Sequence, residues 1–297
     1  MRADLLGAVS RELQRRTGVR TDGTGARGVG GGSINQAYRL PGDPHPVFLK
    51  LNDPSALPAF EAEAEGLEAL GASGGVAVPG VLDLGRAGDT AYLALEWVEF
   101  GSRTPAAQRR LGRGLAIQHR ATARTFGWHR HNTIGSTPQR NTPTDDWLDF
   151  YRTERLEFQL ELAQRNGLPG RTLEQGRQLA GRLAPFFAGY RPVASLLHGD
   201  LWSGNWGADA GGTPYIFDPA VYHGDREADL AMTRLFGGFG ADFYAAYQEQ
   251  WPLARGWEQR VDLYNLYHLL NHFNLFGAGY LGQVAASLSR LLESVKT

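Results

Sequence analysis

The run His198-Gly199-Asp200-Leu201-Trp202-Ser203-Gly204-Asn205 sets an acid and, five residues on, an amide; Ile216-Phe217-Asp218-Pro219 adds a second acid at the end of an extended run. Phosphoryl transfer uses this inventory: a carboxylate that accepts or orients a hydroxyl proton, and an amide plus a carboxylate that hold Mg²⁺ against phosphates. The three groups converge only if a loop and a following hairpin fold together, and Asp209-Ala210-Gly211-Gly212 supplies the turn. Taken alone, the segment has a second reading of equal weight, in which Asp200 and Asn205 cap a glycine-containing loop.

Composition singles out one more residue. Of 30 basic residues only Lys50 and Lys296 are lysine, so the chain uses arginine almost everywhere. An ammonium is a compact point charge where a guanidinium is a planar fork. A lysine kept in the extended run Pro46-Val47-Phe48-Leu49-Lys50 therefore suggests a need for the smaller cation; a snorkelling edge-strand lysine is the plainer alternative. Ahead of it the glycine-dense turn Gly28 to Ser33 would let backbone amides approach phosphate, and after it comes a helix with Glu61, Glu63 and Glu65. Gly-rich turn, strand Lys, helix Glu, loop Asp, Asn and final Asp stand in the chain order of the protein-kinase architecture. Each part is a weak signal, but the ordered set is a strong one.

The elements that must position these residues follow from periodicity. Residues 3 to 17 read as a helix stopped at Gly18. Short strands flank the glycine-rich turn, a third ends at Lys50, and Ala59 to Leu70 places Phe60, Ala64, Leu67 and Leu70 on one helical stripe. Two more strands lie near 81–84 and 91–98, so a helix is inserted between strands three and four of an antiparallel sheet. Beyond Phe100 helices dominate, at about 105–124, 145–166 and 171–189 and from Arg226 to the end, apart from a pair of extended runs at 195–198 and 214–217. The expectation is an α+β, two-lobed protein-kinase-like fold. Residues 1–98 would form the nucleotide-binding lobe and residues 99–297 a mainly helical catalytic and substrate-binding lobe.

With no cysteine, disulfide scaffolds, thiolate metal sites and cysteine nucleophiles are excluded. The net charge of −1 and the absence of long basic runs argue against nucleic acid as a partner. Asn265, His268, Asn271, His272 and Asn274 interrupt the longest apolar stretch, Leu263 to Gly282, and charged residues interrupt the first twenty, so neither a membrane span nor a secretory signal is expected. A cytoplasmic protein is the expectation, monomeric or a non-covalent dimer.

The sequence resembles the fructosamine kinases (ketosamine-3-kinases), kin of the aminoglycoside phosphotransferases. The resemblance rests on Gly31 to Leu40, Val47 to Lys50, Phe60-Glu61-Ala62-Glu63, Asn132-Thr133-Ile134-Gly135-Ser136-Thr137-Pro138-Gln139, His198 to Asn205, Phe217 to Ala220 and Gly224 to Met232. It implies an ATP- and Mg²⁺-dependent kinase that phosphorylates a hydroxyl of a ketosamine, with a role in deglycation. Asp200 would then be the catalytic base, and Asn205 and Asp218 would bind Mg²⁺. Gly31, Gly32, Ser33 and Lys50 would hold the ATP phosphates, with Lys50 oriented by Glu63. That choice over Glu61 and Glu65 depends on the alignment. Adenine would bond the backbone around Glu96, Trp97 and Val98, although Glu96 fits equally an exposed strand residue. Where some relatives carry a cysteine in the glycine-rich turn this chain has Ser33, so no thiol switch can operate there.

Aminoglycoside-phosphorylating kin meet several ammonium groups with acids, yet from Trp257 on this chain has only Glu258, Asp262 and Glu293. Tyr264, Tyr267, His268, Asn271, His272, Phe273 and Asn274 suit a neutral sugar better, with Trp202 as one wall and His272 and Asn271 as polar contacts. Tyr264 and Phe273 read equally as helix core. His198 and His119 read as packed loop anchors, Asp225 as a helix cap and Asp229 as a brace for the catalytic loop. A kinase of another hydroxylated amine, such as an aminoglycoside, is the alternative within enzymes. A nucleotide-binding pseudokinase is the alternative from another class, and the filled catalytic positions argue against it.

Overall fold

The computed structural model describes residues 2–30 and 34–295. Helix α1 (Arg2–Thr17) precedes an antiparallel sheet of β1 (Arg27–Val29), β2 (Gln36–Leu40), β3 (Val47–Asn52), β4 (Val81–Ala87) and β5 (Thr90–Glu96), in the order β1-β2-β3-β5-β4. Helix α2 (Leu57–Ala72) is inserted between the third and fourth strands, with Pro58 in its first turn. Strand alternation decides which way the key residue points. Leu49 and Leu51 join Leu6, Val9 and Leu13 of α1 in one apolar cluster. Lys50, between them, looks to the other face, where Phe60, Ala64 and Leu67 of α2 pack on Ala91, Leu93 and Leu95. The strand runs to Asn52, two residues past the expected end at Lys50, because pairing with β5 continues to Asn52 opposite Ala91.

The chain then becomes mainly helical. Helix α3 (Pro105–Gln118) is capped by Thr104, whose hydroxyl accepts from Ala107 N. It stops short of the expected 124 because Ala121 and Ala123 bond the backbone of Leu196 and Ala194 instead. A hairpin of β6 (Asn132–Ile134) and β7 (Thr137–Gln139) follows. Helix α4 (Trp147–Phe150) runs through a π-helical segment, Tyr151–Glu157, into α5 (Phe158–Arg165). Helix α6 (Gly170–Ala180) ends nine residues before the expected 189, and a short 3₁₀ turn, Ala184–Phe187, replaces its last part.

Strands β8 (Ser195–Leu197), β9 (Trp206–Ala208), β10 (Pro214–Ile216) and β11 (Tyr222–Gly224) frame the catalytic-loop candidate. The two extended runs read from the sequence do not pair with each other: β8 pairs with β11, and β9 with β10 through the expected turn at 209–212. The helix expected from Arg226 onward is four helices, α7 (Glu227–Leu235), α8 (Ala241–Gln250), α9 (Trp257–Phe276) and α10 (Leu281–Ser294). Two of the breaks fall at Gly256 and Gly277, whose backbones are left-handed. Trp147, Phe150 and Tyr151 pack with Tyr264, Leu270 and Phe273 in the largest core. Among the described residues no helix is long and apolar enough to cross a membrane.

Candidate functional site

Lys50, on β3, reaches across the cleft as its alternation dictates. Its Nζ lies 2.6 Å from Glu63 Oε1 on α2 and 2.5 Å from Asp218 Oδ1. Burial alone would pull the ammonium down, but the two carboxylates outweigh it and hold Lys50 above its ordinary value. Burial and the Asp218 charge push Glu63 up, against the pull of Lys50. Of the four acids on α2, Glu61, Glu63, Glu65 and Glu68, Glu63 is the one on Lys50. Glu61 and Glu65 turn instead to residues 128–130.

The loop from His198 to Asn205 is fixed by side chains that do no chemistry themselves. Asp229 on α7, fully buried, accepts from His198 N at 2.7 Å and from Gly199 N at 2.9 Å, and its Oδ2 meets His119 Nε2 at 3.1 Å. Burial would raise its pKa, but these bonds hold it below the ordinary carboxylate value. His198 Nδ1 accepts from Asp200 N and its Nε2 faces Phe217 O at 3.0 Å, which assigns the proton to Nε2. Burial lowers its pKa, so the ring is a neutral strut. Gly199 has φ +83°, and a Cβ there would stand 2.0 Å from Ala220 O. Only glycine lets the loop cross that close. Asp229, His198 and His119 thus serve as the braces read from the sequence. Asp225, expected as the cap itself, stands one residue ahead of the N-cap Arg226, and its side chain accepts from Glu227 N.

Asp200 and Asn205 meet inside this frame. Asn205 Nδ2 donates to Asp200 O at 2.9 Å and Oδ2 at 3.3 Å, and approaches Asp218 O at 3.5 Å. Its Oδ1 accepts no hydrogen bond among the described residues and is free for a cation. Burial, reinforced by the Asp218 charge, pushes the Asp200 carboxyl up to about 7. Asp218 has φ +56°, the one non-glycine residue described with positive φ, and its side chain is half exposed. Backbone strain of this kind, of order 1–3 kcal/mol, gathers where geometry matters more than comfort. No cluster of three or more His, Cys, Asp or Glu among the described residues could hold a metal unaided. The Asp218 carboxylate and the free Asn205 amide oxygen do fit Mg²⁺, which keeps part of its shell for substrate phosphates.

The remaining expected residues are placed unevenly. Gly31, Gly32 and Ser33 lie outside the described residues. At the end of β5, Glu96 N is used by Gly80 O and Trp97 N by Pro46 O, leaving the Val98 N–H without a partner among the described residues. Trp97 packs on Phe48 and under Arg39. Trp202 is exposed, edge-on to Phe236, whose ring lies 4.9 Å from His272; Phe276 and Tyr280 continue this wall. Asn271 does not share it. It is buried, and its Oδ1 accepts from Gln159 Nε2.

The hairpin read only as a family mark has work of its own. Gln139 Nε2 donates to Ala220 O and Asn132 Oδ1, Asn132 Nδ2 donates to Val221 O, and Tyr267 OH donates to Gln139 Oε1. These buried amides hold the two carbonyls that follow Asp218-Pro219. Arg155, wholly buried in the π-helical segment, closes the network through Asn141 Oδ1 and lies 4.0 Å from the Tyr222 ring centre. The signal was an Asn and a Gln at the ends of one short hairpin, where alternation turns both inward.

Comparison with known proteins points the same way as the geometry. The fructosamine kinase family model matches residues 5–294. A protein named probable ketoamine kinase from Synechocystis sp. is 45% identical over 90% of each chain. A chloroplastic protein-ribulosamine 3-kinase from Oryza sativa subsp. japonica is 41% identical over 94% of this chain and 82% of its own. The crystal structure of a "Putative fructosamine-3-kinase" from Haemophilus somnus superposes with a TM-score of 0.88 at 25% identity, covering 97% of this chain and 98% of that one. An aminoglycoside phosphotransferase shares the protein-kinase-like fold at a TM-score of 0.65 and 16% identity, with 98% and 99% covered. A match spanning nearly every residue, with the ion pair and loop in their expected places, shows that the chain belongs to the fructosamine kinase family.

Proposed function

We propose that the protein is an ATP- and Mg²⁺-dependent kinase that phosphorylates O3 of ketosamines such as fructosamine or ribulosamine, and so serves deglycation. The observation that carries this reading is Asp200, its carboxyl raised to about 7, beside Asn205 and Asp218 and across from the Lys50–Glu63 pair. Asp200 Oδ2 accepts from Asn205, which leaves Oδ1 to align the sugar hydroxyl and take its proton as transfer proceeds. Lys50, steadied by Glu63, would seat the α- and β-phosphates, with Gly31, Gly32 and Ser33 as further phosphate-binding residues. Asn205 Oδ1 and the Asp218 carboxylate would hold Mg²⁺, which would offset phosphate charge. Adenine would take the Val98 N–H and the carbonyls of Glu96 and Trp97, whose own N–H groups are spent. Trp202 and His272 would line the sugar side. Asn271 would act there only through α9, its amide oxygen being held by Gln159. The names of the ribulosamine 3-kinase relatives support the acceptor class and the position.

Steady-state turnover with deoxymorpholinofructose, a ribulosamine and kanamycin tests the acceptor. The ketosamines should be phosphorylated with kanamycin nearly inert, and His272→Ala should raise KM for the ketosamine alone. Kanamycin turning over faster than every ketosamine would overturn the reading.

A further inference from the structure

Glu61 and Glu65 stand four residues apart on α2 and share a stripe, while Glu63 between them points to Lys50. That outer stripe is anchored. Trp128 Nε1 donates to Glu65 Oε1 at 2.9 Å, and His129 Nε2 lies 2.5 Å from the same oxygen. Arg130 spans Glu65 Oε2 at 3.4 Å, Glu61 Oε2 at 3.5 Å and Pro58 O at 3.3 Å. The Trp128 ring packs 5.1 Å from His223 on β11, and Gly127 exchanges both backbone hydrogen bonds with His223. Strand β11 pairs with β8, which leads into His198 and Asp200. One residue beyond Glu65, a Cβ at Gly66 would stand 3.2 Å from Val221 and 3.3 Å from Pro219. The helix backbone therefore rests on the segment just after Asp218.

The Arg130 contacts are long and partly exposed, so they contribute little. The part-buried indole bond and its stack are the anchor. In protein kinases the Lys–Glu pair forms only when the helix bearing the Glu swings in, and that movement is regulated. Here the helix is pinned from behind. We propose that Trp128 and Glu65 are positioning residues that lock α2 with Glu63 on Lys50, so that the phosphate seat is formed before nucleotide arrives. The inference rests on the kinase reading above. A seat populated only part of the time weakens apparent affinity by that fraction, so loosening the lock must weaken nucleotide binding through Glu63.

The test is a double-mutant cycle on the Kd of Mg²⁺-AMP-PNP, with Tm followed in parallel. Glu65→Ala should raise Kd about 10-fold and Trp128→Phe, which keeps the stack, about 3-fold, on the scale of coupled neighbours. Neither should raise it further in a Glu63→Ala background. Glu65→Gln, which keeps an acceptor for the indole, should recover most of what Glu65→Ala loses. Equal losses with and without Glu63, or a fall in Tm with Kd unchanged, would overturn the lock. If Glu65→Ala does not fold, the Trp128→Phe arm decides alone. No sugar is present in the measurement, so a wild-type protein that binds the analogue but phosphorylates no ketosamine loses only the proposed acceptor. One that binds no nucleotide overturns both.

Discussion

Two clusters in this molecule hold one cation and two carboxylates each, and they are built to opposite ends. Around Arg260 everything is closed. Its Nε and Nη2 fork onto Glu227 at 2.6 and 3.0 Å, its Nη1 takes Phe186 O, and neighbouring Asp225 accepts from Tyr190, Tyr264 and Glu227 N. None of the three charged residues is more than 2% exposed. Burial pushes Glu227 up to about 7, opposed by the bond from Arg260. Around Lys50 the cluster is open. Asp218 is 49% exposed, spends one oxygen on Lys50 and has no donor on the other among the described residues. A planar fork saturates its partners, whereas a point charge leaves valence for a ligand. The difference teaches that unspent hydrogen-bonding capacity, more than charge, separates the proposed phosphate seat from a structural cluster.

The sharpest way to break this comparison is Asp200→Asn. Turnover should fall by about 10²–10⁴-fold, the usual scale for a lost general base, with Mg-ATP binding nearly intact. Stability should move the other way. Asp200 is raised from 3.8 to about 7 on folding, so between those values the folded state binds more protons than the unfolded one and stability falls as pH rises through that window. In EDTA at pH 8 the variant should therefore melt above the wild type, with the gap closing below pH 4. A lower Tm at pH 8 would place Asp200 among the structural acids.

Next comes Lys50→Arg, for which a loss of about 10²–10³-fold in kcat/KM for ATP is expected, as for one displaced electrostatic donor. Normal turnover would mean that the lone described lysine is there by accident. Arg260→Met should have the smallest effect on rate. It leaves Glu227 buried without its partner and should cost about 3–5 kcal/mol of stability by urea unfolding. KM for ATP should stay unchanged wherever the variant is folded. A selective rise in that KM would bring the closed cluster into the site.

Much of this was legible in the chain. Period-two alternation in Val47 to Lys50 turned one lysine away from its apolar neighbours, and the stripe of Phe60, Ala64, Leu67 and Leu70 fixed α2. Helical spacing alone did not choose Glu63 over Glu61 and Glu65; the tertiary contacts of Trp128 and Arg130 settle where the other two go. The three-residue strands β9 and β11 carry too little pattern to be read, since their partners are non-local. The expected end of α3 runs past the real one because local periodicity does not register a backbone bonded elsewhere, and that of α6 because Pro185, which has no N–H to continue the helix, opens a separate 3₁₀ turn. Asn271 looked like a ligand by residue type, yet Gln159, more than a hundred residues away, claims its amide. Asn132, Gln139 and Arg155 act through carbonyls and rings that no spacing rule joins.

The central claim is that Asp200 takes the proton of the O3 hydroxyl of a ketosamine as the terminal phosphoryl group of ATP passes to that oxygen. The direct measurement is ³¹P and ¹³C NMR of deoxymorpholinofructose incubated with the protein, ATP and Mg²⁺. The account predicts a single new phosphomonoester whose coupling locates it on carbon 3, formed by the wild type and absent with Asp200→Asn. Phosphate on another carbon, or the same product formed at the same rate by Asp200→Asn, would contradict it.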